Sequence, residues 1–190
     1  MKKTIQSCIR ESVRVKESFP ETLIEKIEQS ANKIIFSLKK GKKILICGCG
    51  GSASDSQHFA AELVSKYKLE RKALPAIALT VNSSIITAIS NDYSFKTVFS
   101  RQIEAIGRSG DILFAISTSG NSEAVLEALK CAKKQAMYSI GLTVETGGKM
   151  KEYCDLLLNV PSKETPRIQE SHILIIHIIC ELVEKAFYEK

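Results

Sequence analysis

Five short apolar runs, each separated from the next by an amphipathic stretch, constrain this chain more than any other feature. They are Ile44 to Cys47, Ala76 to Leu79, Ile112 to Ile116, Ser139 to Leu142 and Leu156 to Val160. A strand that is apolar on both faces must be covered on both. The segments near 54–67, 83–90, 95–106 and 123–135 carry the helical spacing that can cover it. The pattern therefore predicts an α/β fold: a doubly wound, five-stranded parallel sheet. Before Gly41, apolar residues recur at helical spacing, first at Ile5, Cys8, Ile9 and Val13, then at Leu23, Ile24, Ile27, Ala31, Ile34, Ile35 and Leu38. Pro20 suits a first helical turn and Gly41 a stop, which gives an N-terminal helical hairpin. A long last helix is expected from about Arg167 to Tyr188. A chain of 190 residues has room for one ordinary core rather than two. The reading is a single domain over 1–190, with helices in 1–40 and the α/β core and C-terminal helix in 41–190.

Composition narrows the partners. Hydrophobic residues at 44% and charged residues at 25% fit a soluble globular chain and exclude extensive disorder. No run approaches the roughly 20 apolar residues of a membrane span or looks like a secretory signal, so a cytoplasmic address and no membrane partner are expected. The six cysteines, Cys8, Cys47, Cys49, Cys131, Cys154 and Cys180, lack the paired spacing of a zinc ribbon or disulfide scaffold and read as mostly buried, reduced thiols. The net charge of +6 comes with basic clusters such as Lys39 to Lys43 and Lys68 to Lys72, which read as solvated surface. With aromatics at only 6%, small anionic substrates fit this surface better than nucleic acid does.

Parallel sheets bind ligands beyond the carboxyl ends of their strands, which directs attention to two loops. After the first strand comes Cys47-Gly48-Cys49-Gly50-Gly51-Ser52, where glycines permit a tight turn and close ligand approach ahead of a helix N-terminus. Its glycine spacing is neither that of a dinucleotide fingerprint nor that of a P-loop, and a plain strand-to-helix turn explains it as well as an anion site does. After the third strand comes Ser117-Thr118-Ser119-Gly120-Asn121-Ser122. Four hydroxyls at a helix start exceed what a single cap needs and suit a phosphate.

Two histidines and a glutamate are the candidates for chemistry. His58 and Glu62, four apart, share a helix face, where a carboxylate beside an imidazole can move protons or hold a metal, although the spacing alone fits a surface ion pair at least as well. The last helix carries Gln169, Glu170, His172 and His177 in an otherwise apolar stretch. His172 reads as a core or surface histidine. Gln169 and His177 are separated by about 12 Å of helix, so they share one site only if their side chains converge.

Taken together, Gly50-Gly51-Ser52, Gln57-His58-Phe59-Ala60-Ala61-Glu62-Leu63, Asn91-Asp92, Ile116 to Ser122, Arg167-Ile168-Gln169-Glu170 and His177 resemble the sugar isomerase (SIS) domain family, and within it the phosphoheptose isomerases. The resemblance implies a flavodoxin-like sheet and a homotetramer with sites at subunit interfaces. It implies interconversion of D-sedoheptulose 7-phosphate and D-glycero-D-manno-heptose 7-phosphate, the first step toward ADP- or GDP-linked heptose for lipopolysaccharide, capsule or another glycan. It also implies substrate contacts at Cys49, Gly50, Gly51, Ser52, Glu62, Asn91, Asp92, Ser117, Thr118, Ser119, Ser122 and Gln169. Glu62 is implied as general base and His177 as general acid, with zinc held in some members at positions matching His58, Glu62, Gln169 and His177. Two positions depart from the family pattern: Cys49 stands where asparagine is usual, and Pro166 where some relatives have an acidic residue. A non-catalytic, replication-initiator-associating protein of the same fold is the first rival, but it lacks the counterparts of Glu62 and His177. An isomerase of another phosphosugar is the second.

Overall fold

The computed structural model describes residues 1–188. Two helices, α1 (Lys2–Glu17) and α2 (Glu21–Lys39), open the chain. Then β1 (Ile44–Gly48), α3 (Gly51–Val64), β2 (Ala76–Ala78), α4 (Ser83–Asp92), α5 (Ser100–Ile106), β3 (Ile112–Ser117), α6 (Glu123–Lys134), β4 (Tyr138–Val144), β5 (Leu156–Val160) and α7 (Thr165–Tyr188) follow, with short 3-10 turns at Phe95–Thr97 and Gly148–Glu152. The strands pair in parallel in the order β2-β1-β3-β4-β5. This is the parallel sheet that the apolar runs predict, in the flavodoxin-like order that the family resemblance implies.

The alternation of side chains along β1 and β3 explains why both faces had to be apolar. Ile44, Ile46, Ile112 and Phe114 point into a core shared with α2, α3 and α7, while Leu45, Cys47, Leu113 and Ala115 point into a second core under α5 and α6. Phe59 of α3 meets Phe114 of β3 edge-on at 5.0 Å, a contact worth about 0.5–1.5 kcal/mol beyond the area it buries. On the other face, α6 buries Val125, Leu126, Ala128, Leu129 and Ala132 at helical spacing, with Glu123 in its first turn and Lys133 and Lys134 in its last to complement the helix dipole. The six thiols are all free: Cys47, Cys131 and Cys180 are buried, Cys49 and Cys154 half-buried, and Cys8 exposed.

Three local readings change. α3 starts at Gly51 rather than near Ser54, because its first turn is built from loop residues that carry no apolar spacing. The segment near 95–106 divides into a 3-10 turn and α5. The basic cluster Lys68 to Lys72 is not wholly solvated surface, since the Arg71 side chain is only 1% exposed and pairs with Glu184. No helix among the described residues is long and apolar enough to cross a membrane.

Candidate functional site

The chain leaves β1 toward β2 in one direction, while β3 lies on the other side of β1. The loops after β1 and β3 therefore diverge and open a crevice at the carboxyl edge of the sheet, the usual ligand position of such folds. Both suspect loops lie there. Cys49 Sγ stands 3.5 Å from Ser122 Oγ and ties them together.

The loop after β3 is braced from within and from behind. The Asn121 backbone N–H donates to Ser119 Oγ at 3.1 Å, the Asn121 side-chain amide donates to the Ser119 carbonyl at 2.9 Å, and the Ser117 and Ser119 hydroxyls are 3.5 Å apart. Gly120 takes φ +66°, and a Cβ there would collide with the backbone of Gly147. From that segment Met150 N–H donates to the Gly120 carbonyl at 3.0 Å and Lys149 N–H to Asn121 Oδ1 at 3.1 Å. Neither the Ser122 cap of α6 nor the Gly50 cap of α3 makes a side-chain capping bond among the described residues. The first-turn amides of α6 thus remain for an anion, with the helix dipole favouring negative charge, whereas at the start of α3 the Ser52 and Ala53 N–H groups already donate to the Cys49 and Gly50 carbonyls at 3.2 and 3.0 Å.

Around the glycine loop, Gly48, Cys49, Gly50 and Ala53 face Thr80, Ile86, Phe95, Val98 and Phe99 across a cavity of about 170 Å³. Ser52 is buried in the first turn of α3. The Gln169 amide of α7 packs directly on the Cα of Gly51, so any side chain at Gly51 would displace it. Asn91 and Asp92 end α4 in the open, with the Asn91 amide donating to Asp92 Oδ1 at 2.8 Å.

Further along α3 the chemical groups gather. His58 Nε2 lies 3.0 Å from Glu62 Oε1, and His177 Nε2 of α7 lies 3.4 Å from His58 Nε2. The His58 and His177 rings meet edge-on at 5.0 Å. One ligand atom from each of these three residues falls within 4.8 Å of the others. Tetrahedral zinc with nitrogen ligands at about 2.0–2.1 Å would hold two of them about 3.3 Å apart, so the facing imidazoles and the carboxylate fit that ion. Gln169, fourth in the implied ligand set, stands two turns earlier on α7 against Gly51. The structure thus brings three of the four together.

Two neighbours escaped the sequence reading. Tyr67 packs its ring 5.7 Å from that of His177. Asp55, one turn before His58 on α3, buries Oδ2 without a hydrogen-bond partner among the described residues, and burial pushes its carboxyl up to about 6 against a smaller downward pull from His58. The spacing Asp55–His58–Glu62 was the available signal for Asp55. Tyr67 lies beyond the helix and offered none.

An open parallel sheet whose crevice lies beside a His–Glu–His cluster defines an α/β protein with a candidate acid–base or metal site. Residues 9–144 match the family model described as SIS domain. The chain is 53% identical over 190 residues to a phosphoheptose isomerase of Clostridium acetobutylicum, covering 99% of this chain and 97% of that one. It is 52% identical over 186 residues to one of Aneurinibacillus thermoaerophilus, covering 97% and 94%. Its structure is similar to that of a phosphoheptose isomerase of Neisseria gonorrhoeae, with a TM-score of 0.92 at 45% identity over 97% of this chain and 98% of that one. The chain belongs to the SIS domain family, among the phosphoheptose isomerases.

Proposed function

We propose that this chain is an aldose–ketose isomerase that interconverts D-sedoheptulose 7-phosphate and D-glycero-D-manno-heptose 7-phosphate by proton transfer through an enediol. The observation that carries the mechanism is the gathering of Glu62, His58 and His177 within 4.8 Å in a chain whose full-length relatives are named phosphoheptose isomerase. The amides and hydroxyls of 117–122 and the start of α3 hold the phosphate, and that remote binding energy positions the reacting carbons. Glu62 takes the proton from C2 of the aldose or C1 of the ketose and returns it to the neighbouring carbon, while His177 serves the oxygens between which the carbonyl moves.

Zinc is part of the proposal, with His58, Glu62 and His177 as the ligands this structure gathers and Gln169 as the further one the resemblance implies. Bound there, it would polarise a substrate oxygen as a Lewis acid. A Glu62 wholly committed to metal would not be free as a base, so metal-free and zinc-loaded protein should be assayed side by side.

A homotetramer with shared sites is also proposed. Ser52 and Glu62 are ten residues apart on α3, about 15 Å of helix, whereas the eight bonds from phosphorus to C1 of an extended heptose phosphate span about 10 Å. With about 3 Å of contact at each end the bound sugar phosphate reaches about as far as that span, so the shared site rests on the family resemblance rather than on this distance. The exposed apolar residues Ile5, Ile9 and Val13 on α1 and Ile24 and Phe36 on α2 give a second copy a surface to cover. A light-scattering mass of one chain would contradict this. The substrate is tested by assaying pentose, hexose and heptose phosphates in parallel: the heptose should give the highest kcat/KM, and a preference for a shorter sugar would overturn the assignment.

A further inference from the structure

We propose that Arg71 and Glu184 are positioning residues of the reaction: a buried ion pair that fixes the Glu62 end of α3 and, through Tyr67, the ring of His177. The inference rests on the reading of Glu62 as base and His177 as acid.

Both side chains are buried, 1% and 3% exposed, with Arg71 Nε donating to Glu184 Oε2 at 2.7 Å. The rest of the guanidinium mostly serves α3, with Nη1 also reaching the Lys72 carbonyl at 3.1 Å. Arg71 Nη2 donates to the Glu62 carbonyl at 2.6 Å and Nη1 to the Leu63 carbonyl at 2.9 Å. These carbonyls belong to the last turn of α3, where no further helical N–H follows and where helices fray; the Leu63 carbonyl also accepts the Leu74 N–H at 3.0 Å, whereas Glu62 relies on Arg71. Glu184, on α7, binds the chain that leaves that turn. It accepts the backbone N–H groups of Tyr67 at 3.1 Å, Lys68 at 2.8 Å and Leu69 at 2.9 Å. Tyr67, so anchored, lays its ring against His177. Burial would raise the Glu184 carboxyl, but Arg71 and the three amides outweigh it and hold it below the ordinary range.

Stability alone is a poor reason for this arrangement, since well-packed apolar residues often replace a buried ion pair at no loss. An apolar pair could not bond two helix-end carbonyls and three loop amides at once. What the pair specifies is geometry, because the backbone of Glu62 and the contact of Tyr67 with His177 are both set by one guanidinium–carboxylate unit. A misplacement of about 1 Å at a catalytic group can cost on the order of a hundredfold in rate, so this is where such a unit affects turnover.

Arg71→Lys keeps a positive charge opposite Glu184 but loses the fork that reaches Glu62 and Leu63. Steady-state kinetics on the zinc-loaded enzyme should show kcat reduced roughly ten- to a hundredfold. KM should stay within about twofold, because the phosphate loops lie at the other end of α3. In Arg71→Ala, guanidinium at millimolar, non-denaturing concentration should restore part of kcat. If Arg71→Ala fails to fold, Arg71→Lys and Glu184→Gln carry the test. A wild-type kcat in Arg71→Lys overturns the proposal. So does a loss of activity that only follows the loss of folded protein and leaves KM and kcat of the folded fraction unchanged. Glu62→Gln, assayed beside them, separates the two ideas. Wild-type turnover there removes the base assignment itself, whereas an inactive Glu62→Gln with a normal Arg71→Lys removes only the positioning role.

Discussion

His172→Met should flatten the acid side of the stability profile. His172 sits in α7 with no solvent exposure, and neither ring nitrogen makes a well-formed hydrogen bond among the described residues. Burial pushes the imidazole down to about 4, against a smaller upward pull from the Thr143 backbone. The folded pKa is thus below that of the unfolded chain, about 6.5, so the unfolded state takes up the proton first. The associated stability is complete above pH 6.5 and lost as pH falls toward 4. The gap between 6.5 and about 4, at about 1.4 kcal/mol per pH unit, amounts to about 3 kcal/mol. Urea unfolding followed by circular dichroism at pH 7.5 and 4.5, at fixed protein concentration, measures it. Wild type should lose about 2.5 kcal/mol more than His172→Met between the two, since most but not all of the differential proton uptake falls in that window. Groups common to both proteins cancel in the comparison. Parallel pH dependence in the two proteins would refute the reasoning and would mean that His172 is solvated or charged in the native state.

Ser119→Ala removes the hydroxyl that accepts the Asn121 N–H and faces the proposed phosphate. Its KM for the sugar phosphate should rise about five- to tenfold with kcat nearly unchanged, the signature of lost ground-state binding; a fall in kcat at constant KM would place this loop in the chemistry instead. Asp55→Asn should behave oppositely to His172→Met. With its folded pKa raised to about 6, the wild-type carboxyl loses stability as pH rises from 3.8 through 6, so the asparagine variant should melt higher than wild type at pH 8 and alike at pH 3.5. An equal gain at both pH values would show that charge is not the cause.

The legible parts of the molecule are those whose signal is local. Each inner strand could be read to within a residue or two because burial on both faces leaves an unbroken apolar run, as in Ile112–Ser117. The loop after β3 was legible because one cap cannot use four hydroxyls. Helix starts were harder: the first turn of α3 is glycine and serine, whose role is to turn and bind rather than to pack. Contacts between distant segments carried no sequence signal. Arg71 sat inside a run of basic residues that looked solvated, and its partner Glu184 lies 113 residues away. The amide of Gln169 against Gly51 was similarly invisible, although both positions stood out through the family resemblance. Periodicity reports which face of an element is buried, not which element covers it.

The central claim is that this chain moves a proton between the first two carbons of a phosphorylated heptose and that Glu62 moves it. The most direct measurement is solvent deuteron incorporation into C1 or C2 of sedoheptulose 7-phosphate, followed by NMR in heavy water for wild type and Glu62→Gln at saturating sugar. Wild type should incorporate deuterium as it isomerises, and Glu62→Gln should be slower by about 10²–10⁴-fold while still binding the sugar. Exchange in Glu62→Gln at the wild-type rate, or no exchange in wild type with or without zinc, would contradict the account.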